Sequence, residues 1–237
     1  MKNIRLYYPD SIAENSTNLL SKEHINYIVN VMRLKRGSKV NIFNKEGEWE
    51  SEIIFLEKDR VEVKFLKKIK ETSETYNIEL GVCLVKKNQM EMILQKASEL
   101  GVKKIIPIIS ERTEVKDLNF ERANKIAIES TEQSNQLKPP EISEIVKLKD
   151  FIVYKKKDSS IFFADVNSKY KITSSDIKKR KSISLLIGPE GDFSPTEREL
   201  ILANPHTISF SLSKNILRTE TAVISAISLI NYINSDH

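Results

Sequence analysis

Near the C-terminal end of this 237-residue sequence, the stretch "SFSLSKNILRTETAVISAISLINYI" (209–233) sets Arg218 and Glu220 on either side of Thr219. A guanidinium is a planar fork of donors suited to an anionic oxygen, and a carboxylate is a proton acceptor. On their own the two residues read as a surface ion pair of small worth at a helix start. Upstream, "LLIGPEGDFSPTERELI" (185–201) carries an apolar run into a Pro/Gly turn. Glu190 and Asp192 would repel a pyrophosphate, and the chain has neither GxGxxG nor GxxxxGK, so this turn is no phosphate cradle. It suits a ligand that is positively charged, or an adenosine held by backbone groups. A tight structural turn is the other open reading.

The elements that must position these residues are well signalled. Ser194 is placed as an N-cap, Pro195 as the first helical residue and Glu197 as the third, closing a capping box. Gly188 and Gly191 are there for positive φ or close backbone approach, and Pro189 stiffens the turn. A turn at the carboxyl end of a strand is where ligands bind in α/β folds. Around Arg218, a strand is expected to end near Leu212 and a helix to begin with Thr219 as its cap. Glu220 falls in the first turn, and Ala222, Val223, Ala226, Ile230 and Ile233 form the apolar stripe.

The first seventy residues read as a small barrel with one helix. "NIRLYY", "KVNIF", "WESEIIFL" and "RVEVKFLKKI" are strands, and Ser21 caps a helix running to Met32. The polar stretch "KKIKETSETY" marks a boundary, giving domains 1–72 and 73–237. Beyond it strand and helix alternate: "YNIELGVCLV", a helix stopped by Gly101, "KKIIPII", a helix over 119–134, then "SIFFADV" and "SISLLIG". Short apolar runs of that kind fill a parallel sheet covered on both faces, so the larger domain is α/β. "KKKDSS" and "KYKITSSDIKKRKS" read as solvated loops. One cysteine and three histidines exclude a disulfide framework and the familiar zinc sites, and Cys83 in "IELGVCLV" reads as core. No apolar run spans a bilayer and no secretory signal opens the chain, so a cytoplasmic protein is expected. The net charge of +5 and pI near 9.0 permit a polyanionic partner without demanding one.

Taken together, "LLIGPEGDFSPTERELI" and "ILRTETAVISAI" resemble the signature of the RsmE-type small-subunit ribosomal RNA methyltransferases of the SPOUT class. "HINYIVNVMRLKRGSKVNIF", "QMEMILQKASELGVKKIIPIISERT" and "AIESTEQS" before "KPPEI" extend the resemblance over essentially the whole chain. It implies a PUA-like N-terminal barrel and a C-terminal domain with a deep trefoil knot around a mainly parallel sheet. It implies, further, a homodimer through that domain, S-adenosylmethionine as cofactor, no metal, and methylation of uridine N3 in 16S ribosomal RNA of the small subunit. By the same resemblance Ile187, Gly188, Gly191, Leu212, Ile216 and Leu217 line the cofactor site, while Glu190 favours the sulfonium or stabilises the loop. Arg218 then stabilises the uracilate oxygen or orients the target; Glu220 accepts the N3 proton or serves the helix start. Arg33, Lys35, Arg36 and Lys39 form a phosphate-contacting patch in "RLKRGSK", with Lys86, Lys87 and Arg112 at strand ends of the larger domain.

This chain departs from the family at four places. Asp192 stands where the family reads "GPEGG", Ser213 and Asn215 where it reads "LGxRILRTETA", and Gln136 replaces an arginine after "EQS". A Cβ at Ser213 restricts the cofactor loop, and the lost charges at Asn215 and Gln136 weaken RNA contacts. Two competing readings are a ribosome-assembly or RNA-binding protein with a decayed cofactor pocket, and a knotted methyltransferase acting on another RNA.

Overall fold

The computed structural model describes residues 4–72, 77–154, 160–178, 180 and 182–235. The chain divides into two compact units, Met1–Glu74 with Thr131–Lys138, and Thr75–Ser130 with Pro139–His237.

The first unit contains β1 (Arg5–Tyr7), β2 (Thr17–Leu19), α1 (Lys22–Asn26), β3 (Lys39–Asn44), β4 (Gly47–Leu56) and β5 (Val61–Glu71). The sheet order is β1-β3-β4-β5-β2, with β1 parallel to β3 and the remaining ladders antiparallel. In β5 the residues alternate, Val61, Val63 and Phe65 buried and Glu62 and Lys64 half-buried, as a sheet with one wet face requires. The inward residues join Leu6, Ile28, Ile42, Trp49 and Ile53 in one core. Ser21 caps α1 as expected, but the α-helix stops at Asn26; Tyr27–Val31 is a π-turn, closed by a Met32 N–H bond to the Tyr27 carbonyl at 2.8 Å. The sequence reading did not include β2.

The second unit continues with β6 (Asn77–Cys83), α2 (Lys87–Glu99), β7 (Lys104–Ile109), α3 (Phe120–Gln133), β8 (Glu141–Ile142), β9 (Val146–Lys147) and α4 (Leu148–Tyr154). After these come β10 (Ser160–Ala164), α5 (Ser174–Lys178), β11 (Ser182–Ile187), α6 (Pro195–Ala203), β12 (Thr207–Phe210) and α7 (Thr219–Asn234). The strands line up as β12-β10-β11-β6-β7-β8, with β9 also on β7, and all their ladders among the described residues are parallel. Both faces are covered, which explains the unbroken apolar runs. Leu185 and Ile187 point to Ile93 and Leu94 of α2 and Val223 and Ile227 of α7; Leu186 points the other way, to Phe151 of α4 and Ile201 of α6. Gly101 ends α2 in the left-handed region, φ +80°.

Two expected loops are corrected or left aside. "KYKITSSDIKKRKS" holds α5 and buries Ile172 and Ile177, because those two apolar residues close the core beside α7. Residues 155–159 of "KKKDSS" lie outside the described residues, and Ser160 already belongs to β10.

The segment 131–138 belongs to the first unit through Arg5. Its guanidinium donates to both oxygens of Glu48 at 3.0–3.1 Å, to the Thr131 and Glu132 carbonyls at 3.1 and 3.0 Å, and to the Gln136 carbonyl at 2.9 Å. The Thr131 and Glu132 carbonyls are ones that the end of α3 leaves without helical partners, and Gln136 lies in the loop beyond it. The Arg5–Glu48 pair is buried, and Asn41 donates to Glu48 at 2.7 Å. Gln136, one of the departures from the family, is used here through its backbone carbonyl.

Candidate active site

A turn after β11 and the loop before α7 meet at the carboxyl ends of β10 and β11. Turn 188–193 is shaped by its neighbours. Asp192 N–H bonds the Pro189 carbonyl at 3.0 Å, and Phe193 is buried with its ring edge-on to Phe163, centroids 5.6 Å apart. At Gly188 a Cβ would come within 3.0 Å of the Phe193 ring, so this glycine serves close approach. Of the two expected uses of these glycines, positive φ occurs at neither and is found instead at Asp192, φ +58°, and a Cβ at Gly191 would meet only ordinary contacts. Aspartate tolerates that region because its short side chain bonds locally, here to the Phe193 N–H at 2.7 Å.

The helix start holding the turn is the expected capping box. Ser194 Oγ accepts the Glu197 N–H at 3.2 Å and Glu197 Oε2 accepts the Ser194 N–H at 3.1 Å. Glu197 Oε1 reaches further, to the Glu111 N–H at 2.8 Å, and Arg112 Nη1 donates to the Gly191 carbonyl at 2.9 Å. The loop after β7 is thereby latched to the turn.

At the second motif, Arg218 is the N-cap residue, in extended conformation, and the helix proper starts at Thr219. Thr219 is thus not the cap: its hydroxyl donates to the Gly188 carbonyl at 3.2 Å, which ties the two motifs together. Arg218 is exposed, and its side chain has no hydrogen-bond or ionic partner among the described residues. Glu220 is buried at the helix start, and its Oε2 has no hydrogen-bond partner. The loop between is ordered by Ser213, whose hydroxyl accepts the Asn215 N–H at 3.0 Å. The departure at Ser213 therefore has a use within the loop.

These segments enclose a cleft of about 110 Å³. Ile187, Gly188, Glu190, Leu212, Ile216 and Leu217 line it, whereas Gly191 faces an adjoining groove with Lys86, Arg112, Glu114 and Glu190. Arg218 and Glu220 are not in the cleft wall, although Thr219 and Ala222 are. The sequence reading missed Ala164, Asp165 and Val166, which follow from β10. Asp165 is buried, accepting from Arg198 Nη2 at 2.7 Å, Ser209 Oγ at 3.0 Å and the Asn167 N–H at 2.9 Å. Burial pushes its carboxyl up, but these hydrogen bonds and the Arg198 charge outweigh it and hold the group below the usual carboxylate range. Its signal was the lone acid ending "SIFFADV".

Among the described residues the cleft's lining includes Asp165, Glu190 and Asp192 but no Lys, Arg or His. A phosphate-bearing ligand is disfavoured there, and a positively charged one is favoured. In the first unit Arg33, Lys35, Arg36 and Lys39 are exposed around a turn, Arg33 at φ +52°, with Lys39 paired to Glu50 at 3.2 Å. Cys83 is buried, its thiol pushed up to about 12 mainly by desolvation, so it is core as expected. Among the described residues there is no group of His, Cys, Asp and Glu that could hold a metal, and no helix long and apolar enough to cross a membrane.

The sequence matches the family model of an RNA methyltransferase domain over residues 71–231 and that of an RNA methyltransferase PUA domain over residues 20–66. It is 34% identical to the ribosomal RNA small subunit methyltransferase E of Rickettsia conorii, over 99% of this chain and 98% of that protein. Identity to the protein of the same name from Bacillus subtilis is 30%, over 93% and 92%. Among solved structures, a ribosomal RNA small subunit methyltransferase E from Neisseria gonorrhoeae bound to S-adenosyl methionine is similar with a TM-score of 0.89 at 27% identity, covering 98% of both chains. A methyltransferase from Legionella pneumophila in complex with the same cofactor is similar with a TM-score of 0.87 at 29% identity, again over 98% of both chains. With a PUA-type first unit, a parallel α/β second unit and near-complete coverage of these relatives, the chain belongs to the RNA methyltransferase family of ribosomal RNA small subunit methyltransferase E.

Proposed function

We propose that this chain uses S-adenosylmethionine to methylate N3 of an unpaired uridine in 16S ribosomal RNA, as a homodimer formed through the C-terminal unit. The observation that carries the reading is the cleft at the ends of β10 and β11, walled by Ile187–Glu190 and by Leu212, Ser213 and Asn215–Leu217, with acidic side chains and no cation in its lining among the described residues. S-adenosylmethionine bears a sulfonium and no phosphate, so backbone contacts and negative charge suit it. When bound, it supplies an electrophilic methyl group. A knot in this unit is supported by the strand order, in which β11 enters between β10 and β6. A cytoplasmic site of action follows from such a substrate.

The chain's own residues then have these tasks. Uridine N3 carries a proton and its lone pair is delocalised, so the deprotonated base must be favoured and aimed. Arg218, exposed and unpaired at the N-cap of α7, stabilises the uracilate oxygen. Glu220, with a buried oxygen that lacks a partner, accepts the N3 proton. Lys86 and Arg112 in the second unit, and Arg33, Lys35 and Arg36 in the first, contact phosphates. Arg112 retains N–H donors beyond the one on Gly191.

The test is methyl transfer from labelled S-adenosylmethionine to unmodified small subunits and, separately, to naked 16S RNA, followed by nucleoside analysis. Label in 3-methyluridine supports the reading and identifies the preferred substrate. Cofactor binding without transfer to either RNA, or label on a ribose, overturns it.

A further inference from the structure

The charges around the cofactor cleft do not cancel. Asp165 is matched by Arg198 at 2.7 Å. Glu190 lies on the border with the adjoining groove, where Lys86 and Arg112 stand. Asp192 lines the cleft alone: it enters no ion pair among the described residues, and one carboxylate oxygen is occupied by the Phe193 N–H at 2.7 Å. Its field reaches Arg198, but that guanidinium is already bound to Asp165. Of the three carboxylates only Asp165 is ion-paired among the described residues, and Asp192 is the unpaired one that lies away from the cations of the adjoining groove.

Resting on the cofactor reading above, we propose that Asp192 makes the cleft select by charge, favouring the sulfonium of S-adenosylmethionine over the neutral sulfide S-adenosylhomocysteine. The two molecules share the adenosine and the amino-acid end and differ by one methyl group and one positive charge. A carboxylate acting on the sulfur end therefore changes only one of the two affinities. The effect helps the spent molecule leave and fresh cofactor enter. In a largely solvated wall the discrimination is about threefold to tenfold, close to what a single charge pair about 4 Å apart is worth in bulk water.

The backbone supplies a clean control. At φ +58° Asn is tolerated as well as Asp, so Asp192→Asn removes charge and leaves the turn, whereas Asp192→Gly removes charge and relaxes the turn. The experiment is calorimetric titration of the full chain and both variants with S-adenosylmethionine and with S-adenosylhomocysteine. Asp192→Asn is expected to weaken S-adenosylmethionine by about threefold to tenfold with S-adenosylhomocysteine within about twofold, and Asp192→Gly to give the same ratio. Equal weakening of both ligands would put Asp192 at the amino-acid end and overturn the inference, as would an unchanged ratio. A changed ratio in the glycine variant alone overturns it too, because the cause is then backbone relief. If the unmodified chain binds neither ligand, the cofactor reading itself falls; if it binds both and the ratio ignores Asp192, only this inference does.

Discussion

Replacing Glu197 by Ala removes a side chain that serves both the turn after β11 and the loop after β7. Its two oxygens accept the Ser194 N–H at 3.1 Å and the Glu111 N–H at 2.8 Å, and the first of these donors is buried. A buried donor left without a partner costs about 1–3 kcal/mol, and a donor that water can partly reach costs about 1 kcal/mol, so the variant should lose about 2–4 kcal/mol. Ser194→Ala removes only the reciprocal bond of the cap and should lose about 1 kcal/mol. The assay is urea unfolding followed by far-UV circular dichroism, because the only tryptophan, Trp49, sits in the other unit and would report its unfolding instead. Amide exchange locates the effect: protection at Ser194 and Glu111 should fall together. A loss in Glu197→Ala no larger than in Ser194→Ala, or exchange confined to Ser194, would refute the claim that this carboxylate latches two segments.

Arg218→Ala is expected to slow methyl transfer at least about tenfold, roughly 1.4 kcal/mol in the barrier, with cofactor affinity nearly unchanged; unaltered turnover in a single-turnover assay removes Arg218 from the mechanism. Cys83 should resist a thiol-reactive disulfide reagent in the native protein at pH 8 and react on unfolding, since burial pushes its thiol up to about 12. Its folded value lies above the unfolded one of about 8.5, so its contribution is whole below that pH and is lost as pH rises toward about 12; Cys83→Ala should flatten this alkaline limb of a stability–pH curve. Asp165 has the opposite sign. Its carboxyl is held low, so its contribution is whole above about pH 4 and lost as pH falls through the folded value; Asp165→Asn should destabilise at neutral pH and show a shallower acid limb in the same measurement.

What could be read from the sequence was what short-range chemistry determines. Ser194, Pro195 and Glu197 declare a helix start within four residues, and Gly101 a helix stop, so both elements stand where expected. The two loops that wall the cleft could be picked out because each is itself a short motif. Asp165 could not be read the same way: its partners Arg198 and Ser209 are 33 and 44 residues away, and only the sheet brings β10, α6 and β12 together. Thr219 looked like a cap because caps are defined locally, whereas its actual acceptor, Gly188, lies 31 residues upstream. The short elements β2, β8, β9 and α5 carry too few residues to display a period, and α4, at seven residues, scarcely two turns. Asp192 was visible only as an oddity of type; its left-handed backbone gave that oddity a meaning.

The bond from Arg5 to the carbonyls of residues 131, 132 and 136 also has a consequence in time. A nascent chain emerges from its N-terminus, and the strands of the first unit are all made by residue 71, yet the unit's last piece is Thr131–Lys138. At about 5–20 residues per second the interval is several seconds, during which the Arg5 guanidinium has only part of its final set of acceptors. The first unit therefore matures only after the Thr75–Ser130 part of the second has been synthesised, and an N-terminal fragment ending near residue 72 would present an arginine prepared for carbonyls that it does not contain.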